Sequence, residues 1–190
     1  MIEARGEWFS RFSNVKLKDL VFLDEFGVTT QMVRMRGRAP RGQRLVCKTP
    51  AGHWKLLSVI AAMSVQGMLV CASVDGATDT ASFVEFVRQG LIPRLRPGQV
   101  VVLDNLSPHR CGQVDELIES AGARVLRLPP YSPDLNPIEM AISKMKQLLR
   151  KLARRTVEEL QQAITHAAAS ITRDDARGFV RHCGYAGTCR

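Results

Sequence analysis

The sequence has no apolar run near the roughly 18 residues that a membrane span needs, and it has no Cys-x-x-Cys pair. The first absence leaves no candidate for a bilayer-spanning helix. The second concerns five scattered cysteines, Cys47, Cys71, Cys111, Cys183 and Cys189. An odd, unpaired set argues against a zinc site and fits a reduced cytosolic compartment. Met1–Ser10 carries charges and no apolar stretch, unlike a signal peptide. No internal repeat is visible. Acids are also short, with 18 Asp+Glu against 27 Lys+Arg, for a net charge of +9. An excess of that size suits a polyanionic partner, nucleic acid first among them.

What is present is ordinary globular composition, 45% hydrophobic and 24% charged over 190 residues. That excludes disorder and suggests one domain with a real core. Leu20 to Phe26 reads as a buried strand. An arginine-rich loop follows, Arg34 to Arg44, where two glycines and a proline oppose a helix. Leu56–Ser64 and Met68–Val74 are apolar runs split by Gln66-Gly67, a hairpin signal. Ser82–Leu95 has helical spacing with Pro93 near its end. Val100–Leu103 is a short strand, Val114 to Ala121 a helix stopped by Gly122, and Val125–Leu128 another strand. After a proline-rich turn, a helix starts at Asn136-Pro137. Its stripe of Ile138, Ile142, Met145, Leu149 and Leu152 carries it to about residue 152. Thr156 with Glu159 marks a capping box for a helix to about Ile171, and Thr172 with Asp175 caps a last one. The order predicts an α/β protein with a mixed sheet of about five strands flanked by helices, which is the order of a ribonuclease-H-like fold. The expected divisions are a leader or remnant over 1–19, a catalytic domain over 20–171 and a C-terminal helix and tail over 172–190.

Asp24 follows Val21-Phe22-Leu23, and Asp104 follows Val101-Val102-Leu103. A carboxylate at the end of an apolar strand costs desolvation energy unless partnered. Two such ends in one sheet invite a cation, and hard divalent ions prefer carboxylate oxygens. Either aspartate could also be part of a plain turn. Glu139 stands at the third position of its helix, with Asn136 as N-cap and Pro137 at the first position, so it could simply close a capping box.

Three segments change this balance: Leu23-Asp24-Glu25-Phe26-Gly27, Asp104-Asn105-Leu106-Ser107-Pro108-His109, and Leu128-Pro-Pro-Tyr-Ser-Pro-Asp-Leu-Asn-Pro-Ile-Glu139. Together they resemble the catalytic signature of mariner-superfamily transposases, in particular the bacterial insertion-sequence branch with an Asp-Asp-Glu endonuclease domain. The 34 residues between Asp104 and Glu139 match that group's spacing, and Gly37 to Arg44 resembles its loop after the first acid. The likeness covers roughly residues 20–185.

The resemblance implies a ribonuclease-H-like fold, and Asp24, Asp104 and Glu139 as catalytic ligands of two Mg²⁺ or Mn²⁺ ions. It implies cleavage of double-stranded DNA at element ends and strand transfer into target DNA. It further implies a homodimer when active, no membrane, and a place in the bacterial cytoplasm at the nucleoid. Relatives carry an N-terminal helix-turn-helix region that reads the terminal repeats, so a separately encoded partner of that kind is expected here. The alternative is a truncated, non-catalytic DNA-binding remnant or regulator of a full-length transposase. Glu25 should face away from Asp24, and His109 matches the family pattern without a fixed role.

Two basic groups are candidate DNA contacts. Arg36, Arg38, Arg41 and Arg44 crowd the loop after Asp24. Lys146 and Arg150 share a helix stripe with Glu139 and Ser143. Phosphate contacts from them would be salt-dependent and largely sequence-independent.

Overall fold

The computed structural model describes residues 7–12, 14–104 and 112–185. Its centre is one five-stranded sheet. The strands are β1 (Leu20–Thr29), β2 (Leu56–Ser64), β3 (Gly67–Asp75), β4 (Val100–Leu103) and β5 (Arg124–Arg127), in spatial order β3-β2-β1-β4-β5. The β1–β2 and β2–β3 pairs are antiparallel, and β4 runs parallel to both β1 and β5. The tight Gln66-Gly67 turn makes the β2–β3 hairpin, with Gly67 at φ 116°, a conformation that favours glycine.

The helices are α1 (Thr80–Glu85), α2 (Gly112–Ser120), α3 (Pro137–Leu152), α4 (Val157–Ala169) and α5 (Arg173–His182). They cover the two faces unequally. Helices α3, α4 and α5 bury Phe22, Phe26 and Val28 of β1 and Val59, Ala61 and Met63 of β2 under Ile138, Ile142, Met145, Leu149 and Ile164. On the other face Val21, Leu23, Ile60, Val101 and Leu103 pack under Phe83, Val87, Leu91, Val114 and Ile118. The strict alternation along β1 follows from the strand's period of two. Each fully buried side chain of this kind stabilises the fold by roughly 1.5–3 kcal/mol.

Several boundaries differ from the sequence expectation. Strand β1 does not stop at Phe26 but runs to Thr29, because β2 pairs with it from Val21↔Ser64 to Thr29↔Leu56. The helix expected over Ser82–Leu95 begins at Thr80, where the Asp79 side chain accepts from the Ser82 amide at 2.8 Å. It then widens into a π-helical turn over Phe86–Leu91 and closes as a 3₁₀ turn over Ile92–Arg94. Pro93, which lacks an amide hydrogen, sits in that last turn. Thr156 caps α4 through the Glu159 amide, but the Glu159 carboxylate takes the Arg155 amide, so the box is only half made. The Thr172–Asp175 box on α5 is complete.

The segments before β1 and after α4 join the main core. Trp8, Phe12 and Val15 are buried with Ala176, Val180, Cys183 and Tyr185. Trp8 Nε1 donates to the Tyr185 hydroxyl at 3.1 Å, and that hydroxyl donates to the Leu135 carbonyl at 2.8 Å. Phe9, Phe12 and Phe22 meet the Tyr185 ring edge-on at 5.2–5.6 Å. This cluster ties residues far apart in sequence to the turn that precedes α3.

Candidate active site

Asp24 is the starting point. Its position on β1 differs from the sequence expectation: it lies mid-strand, not at a strand end. Strand β4 is only four residues long, and its pairs with β1 stop at Phe22↔Val102. Carrying that parallel register two residues further sets Asp24 beside Asp104, which follows directly on β4. Both share the parity of Phe22 and Val102, so both belong to the face covered by α3. The step between a ten-residue strand and a four-residue one therefore makes a notch with an aspartate on each side.

The Asp24 side chain is 5% exposed, and both of its oxygens are held. Oδ1 accepts the Glu25 amide and Oδ2 accepts Nδ2 of Asn136, each at 2.8 Å. Asn136 is 2% exposed. Its amide nitrogen faces Asp24 because a carboxylate offers only acceptors. Hydrogen bonds to a charged group are about twice as strong as neutral ones. Asn136 thus spends its side chain on Asp24 rather than on the helix it precedes: no side-chain cap bond forms at the start of α3. The capping box that could have explained Glu139 is absent. Glu139 lies in the first turn of α3, exposed, with its backbone amide on the Asn136 carbonyl at 3.1 Å.

Asp24, Asp104, Glu139 and Asn136 line one cleft of about 410 Å³, walled by Leu128 and the turn Pro129-Pro130-Tyr131-Ser132-Pro133. The Leu128 amide donates to the Leu103 carbonyl at 2.9 Å, which locks the exit of β5 to the exit of β4 beside Asp104. In the turn, Ser132 is buried and Tyr131 adopts φ 55°. A left-handed conformation costs a non-glycine residue roughly 1–2 kcal/mol.

The donor set fits a hard divalent cation: three carboxylates on one cleft and no thiolate or histidine among the residues that line it. The Asn136 Oδ1 atom is buried with no hydrogen-bond partner among the described residues, on a side chain that lines the same cleft. No three His, Cys, Asp or Glu side chains among the described residues stand close enough together to hold an ion. The acids share a cleft without converging.

The other expected residues fall into separate places. Glu25 has the parity of Val21 and Leu23, so it faces away from Asp24 as expected, and its Oε2 is buried with no hydrogen-bond partner among the described residues. Lys146 is half-buried with Nζ 5.3 Å above the ring of Phe26, two residues beyond Asp24 on the same face. Arg150 is half-buried one turn further along α3. Arg36, Arg38, Arg41 and Arg44 are all exposed on the connection between β1 and β2 and do not line the cleft. His109 lies outside the described residues. Arg155, which the sequence left without a role, donates to the Thr30 and Met32 carbonyls at 2.9 and 3.0 Å and braces the base of that connection. Asn136 is the site residue that sequence reasoning missed. Its place before Pro137 reads as a helix cap, and nothing local indicates a partner 112 positions away.

Residues 19–162, three quarters of the chain, match the family model of the DDE superfamily endonuclease domain. The chain belongs to the DDE superfamily endonucleases. Solved structures share the DDE endonuclease fold seen here. A pre-cleavage Mos1 transpososome superposes with a TM-score of 0.73 at 15% identity, covering 99% of this chain and 61% of that one. The Mos1 mariner paired end complex with Mn gives 0.70 at 16%, again covering 99% and 61%. The catalytic domain of Mos1 mariner transposase gives 0.67 at 15%, covering 95% and 85%. The ribonuclease-H-like architecture expected from the sequence is therefore the one observed. The chain spans about three fifths of the transposase chains in the two complexes and most of the isolated catalytic domain. No curated protein sequence matches it.

Proposed function

We propose that this chain is the catalytic domain of a mariner-superfamily transposase from the bacterial insertion-sequence branch. The observation that supports the reading is that Asp24, Asp104 and Glu139 line one cleft of a DDE superfamily endonuclease domain. These three carboxylates would hold two Mg²⁺ or Mn²⁺ ions, and Mos1 structures solved with Mg and with Mn support that choice. When bound, the ions supply charge stabilisation at the scissile phosphate and activation of the attacking oxygen.

The chain's own residues do the rest. Asn136 and the Glu25 amide keep the Asp24 carboxylate in one orientation, which leaves its outer lone pairs toward the cleft. Arg36, Arg38, Arg41, Arg44, Lys146 and Arg150 neutralise backbone phosphates on either side. In the first reaction water adds to phosphorus and the P–O3′ bond breaks, leaving a 3′-hydroxyl and a 5′-phosphate. In the second, that 3′-oxygen adds to a target phosphodiester at a TA step and loses its proton, and the target's own 3′-oxygen leaves. Element-end and target duplexes are the DNA partners. A second copy of the chain is the protein partner, as the paired end complexes of Mos1 support, with a separately encoded helix-turn-helix protein to read the ends. The work belongs at the nucleoid.

The test is metal-dependent nicking and strand transfer on element-end DNA. Asp104→Asn should reduce both to background while leaving DNA affinity and the thermal midpoint nearly unchanged. Cleavage retained in that variant overturns the assignment of the triad.

A further inference from the structure

The two edges of the sheet are guarded differently. At one edge β5 has four residues, with Arg124 and Arg127 at its ends. Shortness and charge are common protections of an open strand edge. At the other edge β3 has nine residues, with no proline and no charge before Asp75. Its inner side pairs with β2 without a break from Ser58↔Val74 to Ala62↔Val70, and a register shift that skips Leu69 ends this regular stretch. On its outer side no hydrogen bond to the backbone of Val70–Val74 is found among the described residues. Such a row of amides and carbonyls is a template for another strand. Open clefts flank this edge on both faces. Val70, Ala72 and Val74 share one face and line a cleft of about 760 Å³ against Ala81 and Phe86. On the other face Leu69, Val70 and Cys71 line one of about 370 Å³ against Thr165 and Ala168 of α4.

We infer that β3 pairs antiparallel with β3 of a second copy of this chain, about a twofold axis through Ala72. A twofold contact sets one patch against itself, and the stretch Val70–Val74 is self-complementary. Val70 falls opposite the copy's Val74, Ala72 opposite its equivalent, and Cys71 opposite the copy's Ser73. Apolar side chains thus meet across the strands on one face. Ala72, exposed and small, sits on the axis. The charges agree as well. The same register sets the copy's Asp75 opposite Leu69, beside Arg94, which lines both clefts. Asp75 is exposed and makes no ion pair among the described residues. Arg94 is exposed; it donates once, to the Gly90 carbonyl at 2.7 Å, and a guanidinium has further donors to give. Symmetry makes this pair twice. Strand β3 lies two strands from β1, on the side away from β4 and Asp104. The contact needs neither DNA nor metal, so it stands apart from the function proposed above.

The experiment is sedimentation equilibrium of the whole chain in EDTA, without DNA, from about 1 to 100 µM. The parent should pass from monomer to dimer in this range. Ala72→Lys places two like charges opposite each other on the axis and should weaken association by about 10-fold or more. Its thermal midpoint, read at low concentration, should stay within about 2 °C of the parent, because Ala72 is exposed. The second test is a charge exchange. Asp75→Arg and Arg94→Asp should each weaken association by about 5- to 30-fold, since each reversal acts twice in the dimer. The double variant Asp75→Arg/Arg94→Asp should return to within about threefold of the parent. That restoration requires the two side chains to meet across the copies, because within one chain they make no contact. A parent that stays monomeric to the top of the range overturns the proposal. So does a dimer that Ala72→Lys leaves intact, and so does a double variant as weak as either single one. None of these outcomes bears on cleavage by the parent chain, which tests the function separately.

Discussion

The carboxylate cleft and the loop between β1 and β2 sit on the same strand a few residues apart, yet they are built in opposite ways. Much of the cleft is tied down: Asp24 by two donors, Asn136 by burial and its bond to Asp24, the exit of β5 by Leu128 on Leu103. The loop carries Arg36, Arg38, Arg41 and Arg44 in the open, together with exposed Met35, Val46 and Trp54. Its ties lie near its base, where Thr30 and Lys55 exchange hydrogen bonds, Gln31 reaches the Pro50 carbonyl and Arg155 grips Thr30 and Met32. On the function proposed above, the difference separates two tasks. Chemistry on a phosphodiester needs donors fixed to within a fraction of an ångström. Neutralising a polyanion needs charge nearby and tolerates slack, because its gain comes from released counterions.

Replacing the four loop arginines together by glutamine should have the largest effect and break the two regions apart. DNA affinity should fall by two or more orders of magnitude, and the slope of log K against log salt should shrink by up to about 3.6 if each arginine meets one phosphate. Stability should stay within about 0.5 kcal/mol, as for other exposed substitutions. A salt titration and a urea melt on the same protein read both. A collapse of stability would show that the loop is part of the scaffold after all.

Asn136→Ala tests the other side. It removes a charge-assisted hydrogen bond from a buried carboxylate, so urea denaturation in EDTA should show a loss of roughly 1.5–3 kcal/mol. Cleavage should drop while duplex affinity in EDTA holds, the reverse of the loop variant. If stability and cleavage are both unchanged, the cleft is not preorganised by Asn136.

The smallest effect belongs to a charge pair outside both regions. Lys144 on α3 donates to Asp175 on α5 at 2.5 Å, and this contact, with the Thr172 amide and hydroxyl, pulls the Asp175 carboxyl down from 3.8 to about 2. A depressed carboxyl stabilises the fold above its unfolded value and loses that contribution as pH falls toward the folded one. Lys144→Ala should therefore cost stability above about pH 4, with the difference from the parent fading as pH falls toward about 2. Since Lys144 is 42% exposed, solvent screening should keep that difference under about 1 kcal/mol. A difference constant through this pH range would deny the pair its role.

Much of this molecule is legible from its residues. The apolar runs give five strands in their order along the chain, and the stripe of α3 gives its approximate length. Local rules fail where a neighbouring strand decides. Strand β1 outlasts its apolar run because β2 supplies hydrogen bonds as far as Leu56, which no window centred on Phe26 can register. The segment around Trp8 has no period and reads as a leader, yet Trp8 and Phe12 are buried against Tyr185 at the other end of the chain.

The same line runs through the site. Asp24, Asp104, the 34-residue spacing and the long motif ending at Glu139 are properties of the chain order, and it is their resemblance to the mariner-superfamily signature that groups them as one set. Which residue holds Asp24 is not. Asn136 before Pro137 satisfies the local rule for a helix cap, and only the packing of α3 across β1 offers its amide a buried carboxylate instead. A charged hydrogen bond in a dry interior outweighs a neutral helix cap, so tertiary structure turned a capping residue into a clamp on the Asp24 carboxylate.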